Sequence, residues 1–485
     1  VNKPIGHLFL VAMVMFGVLL GGTSYWTVVR ADELNNDKPS LNRRALVRSL
    51  KVRRGTIRAA DGSVIARSVK GRGDLYRRTY PLGSLFGHPI GYSFAGVDQS
   101  GFEASQNAAL MGERNALQTT FDQLIGRDPD GDDIVTTLDP AAQRLALDGL
   151  AQAGGKGGAA VALDPRTGAV KVMASYPSFD PNTVRDAGTY ARLSTDEQRR
   201  PLVNRAVQFG YAPGSTFKVV TSSAGIDSGV IEPTSTLNGD SGQVFSGPPL
   251  ANDYGEDFGQ IDLQTALAKS VNTAFAGLGV KIGKPTMQKY MERFGFGKKP
   301  ELDYPRDAMS ASVIRPSPPG HPVPATSRFV DLGRVSIGQG GLEATPLQMA
   351  LVAAAVGNGG ELMRPHLTDR IVDRDGRTVD RTKAERQETV MSASSAATVR
   401  DMMVAVVQRG TGTKAQIPGV TVAGKTGTAE TEQSDTINNV WFIGFAPADN
   451  PRVAVAVTVQ GVVGFGGDFA APIAQTLMQE LLKAS

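Results

Sequence analysis

Ala159-Ala160-Val161-Ala162-Leu163-Asp164-Pro165-Arg166-Thr167-Gly168-Ala169-Val170-Lys171-Val172-Met173-Ala174 is the stretch that settles the fold class. Two short apolar runs around a Pro- and Gly-bearing turn read as a β-hairpin. Further strand-like runs lie near the far end, at Val420–Ala423, Val440–Phe445 and Val453–Val459. Helical patterns fill the interval and the flanks. One begins at Asp139-Pro140, a cap followed by a proline suited to the first turn, and runs through Gln143, Leu145, Ala146 and Leu150. Others cover Leu263–Phe275, the residues after Thr345-Pro346, and Ile473–Leu482. Strands at both ends with helices between predict an α+β unit, one antiparallel sheet flanked by helices. Loops rich in Pro and Gly are expected at Asn238–Gly255 and Arg315–Pro324.

Outward from this unit, residues 8–29 carry no charge over 22 positions. That suffices for a bilayer, which takes roughly 20 residues, and exceeds the core of about 7–15 usual in a secretory signal. Tyr25 and Trp26 suit the membrane interface. The segment reads as an uncleaved single-pass anchor. Lys3 before it and Arg30, Arg43 and Arg44 after it leave the orientation undecided. From residue 31 to 133 the chain is charged and rich in turns. Within it, Arg53–Ala66 reads as two short strands around Asp61-Gly62. The expected organisation is therefore a tail and transmembrane helix over 1–30, a small β-rich domain over 31–133, and the α+β unit over 134–485.

Composition excludes several chemistries. The 485 residues contain no cysteine, so disulfides, zinc–cysteine sites and cysteine nucleophiles are absent. The four histidines, His7, His88, His321 and His366, form no His-x-x-x-His pair, and there is no Gly-x-Ser-x-Gly elbow and no phosphate loop. A net charge of +4 without a dense basic tract gives no reason to expect nucleic acid as a partner.

Three polar motifs remain. Pro213-Gly214-Ser215-Thr216-Phe217-Lys218 holds the chain's only Ser-x-x-Lys, at what reads as a helix start in apolar surroundings. A serine hydroxyl needs a base, and residues three apart share one helix face. A buried lysine beside another cation can be that base. Ser270-Val271-Asn272 offers a hydroxyl and an amide, although Ser105-Gln106-Asn107 has the same spacing and a helix-capping role fits either. Lys425-Thr426-Gly427-Thr428, the only Lys-Thr-Gly, follows an apolar run and is expected on a strand. Lys425, Thr426 and Thr428 can bind a carboxylate, and Gly427 admits a close backbone approach. Taken singly, the first motif also occurs on solvated helices and the last in β-turns.

Together and in this order, the motifs resemble those of class B, monofunctional penicillin-binding proteins, of the actinobacterial cell-division kind. The resemblance extends over the anchor, Arg54-Gly55-x-Ile57, Thr137-Leu138-Asp139, Asp164-Pro165-x-Thr167-Gly168, Ile337-Gly338-Gln339-Gly340 and Thr345-Pro346-Leu347-Gln348-Met349-Ala350. Val271 replaces the middle aspartate of the family's second motif, and Ala59-Ala60-Asp61-Gly62 replaces the usual Asp-Arg-x-Gly.

The resemblance implies a D,D-transpeptidase that cross-links peptidoglycan stem peptides and is acylated by β-lactams. Ser215 would be the nucleophile, Lys218 its base and Ser270 the proton relay. Asn272, Lys425, Thr426, Gly427 and Thr428 would bind substrate, and the backbone N–H groups of Ser215 and Thr428 would form the oxyanion hole. No metal or organic cofactor is implied. A polytopic membrane glycosyltransferase is the implied partner. The cytoplasmic membrane is the implied location, with the catalytic unit outside. A carboxypeptidase or β-lactamase of the same fold, and a non-catalytic β-lactam sensor or scaffold, are the alternatives.

Overall fold

The computed structural model describes residues 2–26, 50–71, 73–94, 98–113, 130–431 and 434–483. The end of the 8–29 segment, from 27 on, and Arg30, Arg43 and Arg44 lie outside them. The chain starts with helix α1 (Asn2–Ser24). Its apolar residues are exposed, and it is long and apolar enough to cross a membrane. No other helix among the described residues meets that description.

A six-stranded sheet follows. It takes β1 (Ile57–Arg58), β2 (Val64–Lys70), β3 (Tyr76–Thr79) and β4 (Asp133–Thr136) from the first third of the chain. The Asp61-Gly62 turn does join two strands, with Ile57 opposite Ala66. Beneath them Glu103 is fully buried between two arginines, its carboxylate 2.6 Å from both Arg54 Nε and Arg78 Nε. Burial alone would push this carboxyl up; Arg78 and Arg54 outweigh that and hold it below the usual carboxylate range.

The main sheet begins after helix α2 (Pro140–Gln152), which Asp139 caps by accepting from Ala142 N–H at 2.9 Å. Strands β5 (Gly157–Leu163) and β6 (Val170–Tyr176) form the expected hairpin. Asp164 closes its turn, accepting from Gly168 N–H at 2.9 Å. The helical middle includes α3 (Lys218–Asp227), α4 (Leu263–Ala268), α5 (Asn272–Ile282) and α6 (Pro346–Gly357). The sequence pattern predicts one helix over Leu263–Phe275. It is instead broken at 269–271, between α4 and α5, because Ser270 takes φ +62, a conformation a continuing helix excludes.

Strands β7 (Thr368–Val372) and β8 (Thr378–Arg381) leave the helical unit and join the first sheet, giving the order β8-β7-β4-β1-β2-β3. The chain then returns through α7 (Ala393–Arg409), β9 (Ala423–Thr431), β10 (Ser434–Ala446), β11 (Val453–Val462) and α8 (Gly466–Lys483). The main sheet has the order β9-β10-β11-β5-β6, antiparallel throughout, so its two ends in space are the Lys-Thr-Gly strand and the second hairpin strand.

Alternation along the strands sorts the two faces. Val453, Val455, Val457 and Val459 share a buried cluster with Leu477, Met478 and Leu481 of α8 and Ala146 and Leu150 of α2. Ala454 and Ala456 point the other way, into the cluster that holds Leu347, Met349 and Val352 of α6. Helix α6 is apolar except for Gln348 and buried along Pro346–Val356, as a helix enclosed on every side should be.

Candidate active site

Three elements meet at the outer edge of the main sheet. Ser215 lies in a short 3-10 turn, Gly214–Phe217, and α3 starts at Lys218. The serine thus sits ahead of the α-helix and not in its first turn, as the sequence pattern suggested. The turn is fastened from several sides. Gly214 N–H donates to Gly338 O at 3.0 Å, Tyr211 N–H to Ala344 O at 3.0 Å, and Trp441 Nε1–H to Ala212 O at 3.0 Å. Gly214 has φ +52, and a Cβ there would strike the backbone of Thr428. On β9, a Cβ on Gly427 would lie 2.7 Å from Pro213 O and 2.9 Å from Thr216 Cγ2. Two glycines therefore let the serine turn and the Lys-Thr-Gly strand pack backbone to backbone. Gly427 lines the cleft, but its missing side chain makes room for this turn, which is a reason the sequence alone did not supply.

The break between α4 and α5 brings in the third element. Its positive φ aims Ser270 at the lysines, and Val271 turns inward, almost fully buried. An apolar residue fits that middle position because only its two neighbours face polar groups.

Lys218 and Lys425 are both fully buried. Lys218 Nζ donates to Ser270 O at 2.5 Å, Asn272 Oδ1 at 2.7 Å and Ser270 Oγ at 3.3 Å. Lys425 Nζ donates to the same Ser270 Oγ at 2.9 Å and to Thr426 O at 2.9 Å. Lys218 thus directs its hydrogen bonds to Ser270 and Asn272, leaving the hydroxyl of Ser215 facing the cleft. Burial, then the charge of Lys425, pushes Lys218 well below the usual lysine range, with Asp253 opposing. Burial lowers Lys425 to about 7, again against Asp253. Two buried amines sharing one hydroxyl cannot both stay charged cheaply.

In front of the lysines is a cleft of about 570 Å³ lined by Ser215, Ser270, Asn272, Thr426, Gly427 and Thr428. Every residue singled out from the three motifs is thus either on the cleft wall or immediately behind it. Three further lining residues carried no sequence signal. Thr411, after α7, shares a 2.5 Å hydroxyl–hydroxyl contact with Thr426. Asp253 and Tyr254 come from the loop before α4, where the sequence offered only turn residues. No group of three or more His, Asp or Glu among the described residues is placed to hold a metal ion.

The chain is similar to known proteins over most of its length. Residues 158–479 match the model of the penicillin-binding protein transpeptidase domain, and residues 54–134 that of the penicillin-binding protein A dimerisation domain. The chain is 36% identical to the peptidoglycan D,D-transpeptidase PbpA of Mycolicibacterium smegmatis, over 99% of both chains. It superposes on the crystal structure of PBPA from Mycobacterium tuberculosis with TM-score 0.79 and 32% identity, over 89% of this chain and all of that one. The penicillin G acyl-enzyme complex of that M. tuberculosis protein gives TM-score 0.78 at 32% identity, covering 89% of this chain and 99% of that one. By sequence and fold alike, the chain belongs to the penicillin-binding protein transpeptidase family.

Proposed function

We propose that the chain is a serine-type peptidoglycan D,D-transpeptidase of cell-wall synthesis. The observation that carries this reading is Ser270 Oγ held between the two buried lysines, in a cleft that Ser215 also lines.

In the proposed cycle Lys218, neutral because it is buried beside Lys425, takes the proton of Ser215. Ser215 Oγ attacks the carbonyl carbon of the penultimate D-alanine of a stem peptide. The N–H groups of Ser215 and Thr428 receive the oxyanion; the tight packing of Gly214 on Thr428 supports their convergence. Ser270, already bonded to both amines, passes a proton to the nitrogen of the departing D-alanine as the C–N bond breaks. Asn272 holds the substrate amide. Lys425, Thr426 and Thr428 hold the terminal carboxylate, whose approach favours the ammonium form of Lys425 and so keeps Lys218 neutral. Gly427 contributes by letting strand and serine turn meet. The amine of a second stem peptide then attacks the ester, loses a proton and returns Ser215 to its resting form. A β-lactam would be trapped at the ester stage. No step calls on a cofactor.

Helix α1 would anchor the chain in the cytoplasmic membrane, with residues before it inside and the domains outside, where the substrate lies. The units 31–133 and 134–485 would be the non-catalytic and catalytic domains, the second lending the β7–β8 hairpin to the first. A polytopic membrane glycosyltransferase would supply the glycan strands, since the 31–133 interval is small for a polymerising domain. Anchoring both in one membrane raises their effective concentration.

Labelling with a fluorescent penicillin, followed by assay for cross-linked product, tests the reading. Label with cross-linking supports it. Label with released D-alanine alone would favour a carboxypeptidase, rapid loss of label a β-lactamase, and stable label without either product a sensor.

A further inference from the structure

Asp253 is a cleft carboxylate that the cycle above does not use. The cleft is lined by two aspartates, Asp253 and Asp468. Asp468 is paired with Lys414 at 2.8 Å. Asp253 makes no ion pair within 4 Å among the described residues; its Oδ1 lies 3.5 Å from Asn272 Nδ2. Both catalytic-site lysines feel its charge, yet they are buried behind the wall while Asp253 is solvent-exposed.

Its position is fixed by a buried neighbour. Asn252 Nδ2 donates to Gly239 O at 2.7 Å and to Glu256 O at 2.9 Å, closing the loop. Asn252 Oδ1 accepts from Thr273 N–H and Oγ1–H, both at 3.1 Å. The loop is thereby pinned to the first turn of α5, the helix that carries Asn272. The next residue, Tyr254, has φ +57, unusual for a bulky side chain, and is 90% exposed. Its ring centroid lies 5.9 Å from that of Phe465, just before α8, and both residues line the cleft. A strained residue displaying an aromatic ring, next to an unpaired carboxylate, suits a ligand cation that a carboxylate and a π face can share.

The chemistry of the proposed reaction, on which this inference rests, supplies such a cation. Donor and acceptor are both stem peptides, so the amine that one uses as nucleophile is carried by the other as well. The carboxylate end of the donor goes to Lys425 and the threonines, which leaves Asp253 to a group of the opposite charge. Asp253 adjoins Asn272, which holds the acyl side. We propose that Asp253 and Tyr254 form a subsite for the side-chain ammonium of the donor stem peptide, selecting donors that carry a free amine.

Ampicillin and benzylpenicillin test this directly. They differ by one ammonium group on the acyl side chain, the part next to Asn272. The second-order rate of acylation of Ser215 is measured for both, with the wild-type chain, Asp253→Asn and Tyr254→Ala. An exposed ion pair predicts a wild-type ratio, ampicillin over benzylpenicillin, about two- to fivefold above that of Asp253→Asn. Tyr254→Ala should lie between the two. An unchanged ratio in Asp253→Asn would overturn the proposal. So would an equal fall for both penicillins, because Asp253 would then act through the lysines and not on the ligand. Failure of the wild-type chain to be acylated by either penicillin would instead overturn the transpeptidase reading beneath it.

Discussion

Lys425 Nζ and Ser270 Oγ, 155 positions apart in sequence, are hydrogen-bonded at 2.9 Å, and the same oxygen lies 3.3 Å from Lys218 Nζ. One hydroxyl therefore couples two buried amines. A proton on Lys425 makes a proton on Lys218 more costly, which keeps the base free. Removing Lys425 takes away the second-largest cause of the depressed Lys218 pKa. In Lys425→Ala the rising limb of acylation rate against pH should shift to higher pH, besides any loss of carboxylate binding. A pH–rate profile for penicillin acylation reads this. A limb that stays in place, or moves down, would show that Lys425 does not tune Lys218.

Ser215→Ala should abolish covalent labelling and leave the fold intact. The side chain of Ser215 makes none of the bonds that fasten its turn, which come from Gly214, Tyr211 and Trp441. Mass spectrometry of the folded variant should show no added penicillin. One penicillin mass on Ser215→Ala would locate the nucleophile elsewhere.

How much of this was legible beforehand depended on what kind of contact was involved. The hairpin, the α2 cap and the α6 helix are local, and their residues declare them. The break at Ser270 is not local. Its φ of +62 is imposed by the packing of Val271 and by bonds to lysines distant in sequence, so the helical period ran across it unnoticed. The same holds for Arg54, whose motif was visible while its partner Glu103, 49 residues away, was not. Asp253 and Tyr254 sat in a stretch with ordinary turn composition. Only folding puts that loop against α5, and only then does an unremarkable Asp become a cleft carboxylate.

Thr428→Val keeps the volume and the backbone N–H but removes a hydroxyl from the cleft wall. In the resting site that hydroxyl has only a long contact, 3.4 Å from Gly466 N–H, so the resting fold should lose little. A lost bond to a ligand carboxylate costs about 1.5–3 kcal/mol, a fall of roughly 10- to 150-fold in acylation efficiency. Stopped-flow acylation by benzylpenicillin measures it. Equal rates for the two proteins would remove Thr428 from the carboxylate site.

His88 is buried among residues that lie far from it in sequence. Its Nε2 is 2.8 Å from Pro201 O, its ring packs edge-on to Phe179, and its own carbonyl accepts from Tyr304 Oη at 2.7 Å. Burial lowers its pKa to about 4, with the charge of Arg205 adding and the bonds to Pro201 and Ser175 opposing. The unfolded chain has an ordinary histidine, near 6.5. Between those values the unfolded state binds the extra proton, so stability rises with pH. The contribution is fully present above about 6.5 and is lost as pH falls towards about 4. A gap of this size corresponds to roughly 3 kcal/mol across the window. His366 is also held below its usual value by burial and acts in the same direction, so the wild-type slope alone does not isolate His88. His88→Gln keeps a donor for Pro201 O but cannot take up the proton. Denaturant melts of both proteins at pH 7 and pH 5 should show the wild type losing more stability than His88→Gln on acidification. Identical losses would mean that His88 is not held neutral by the fold.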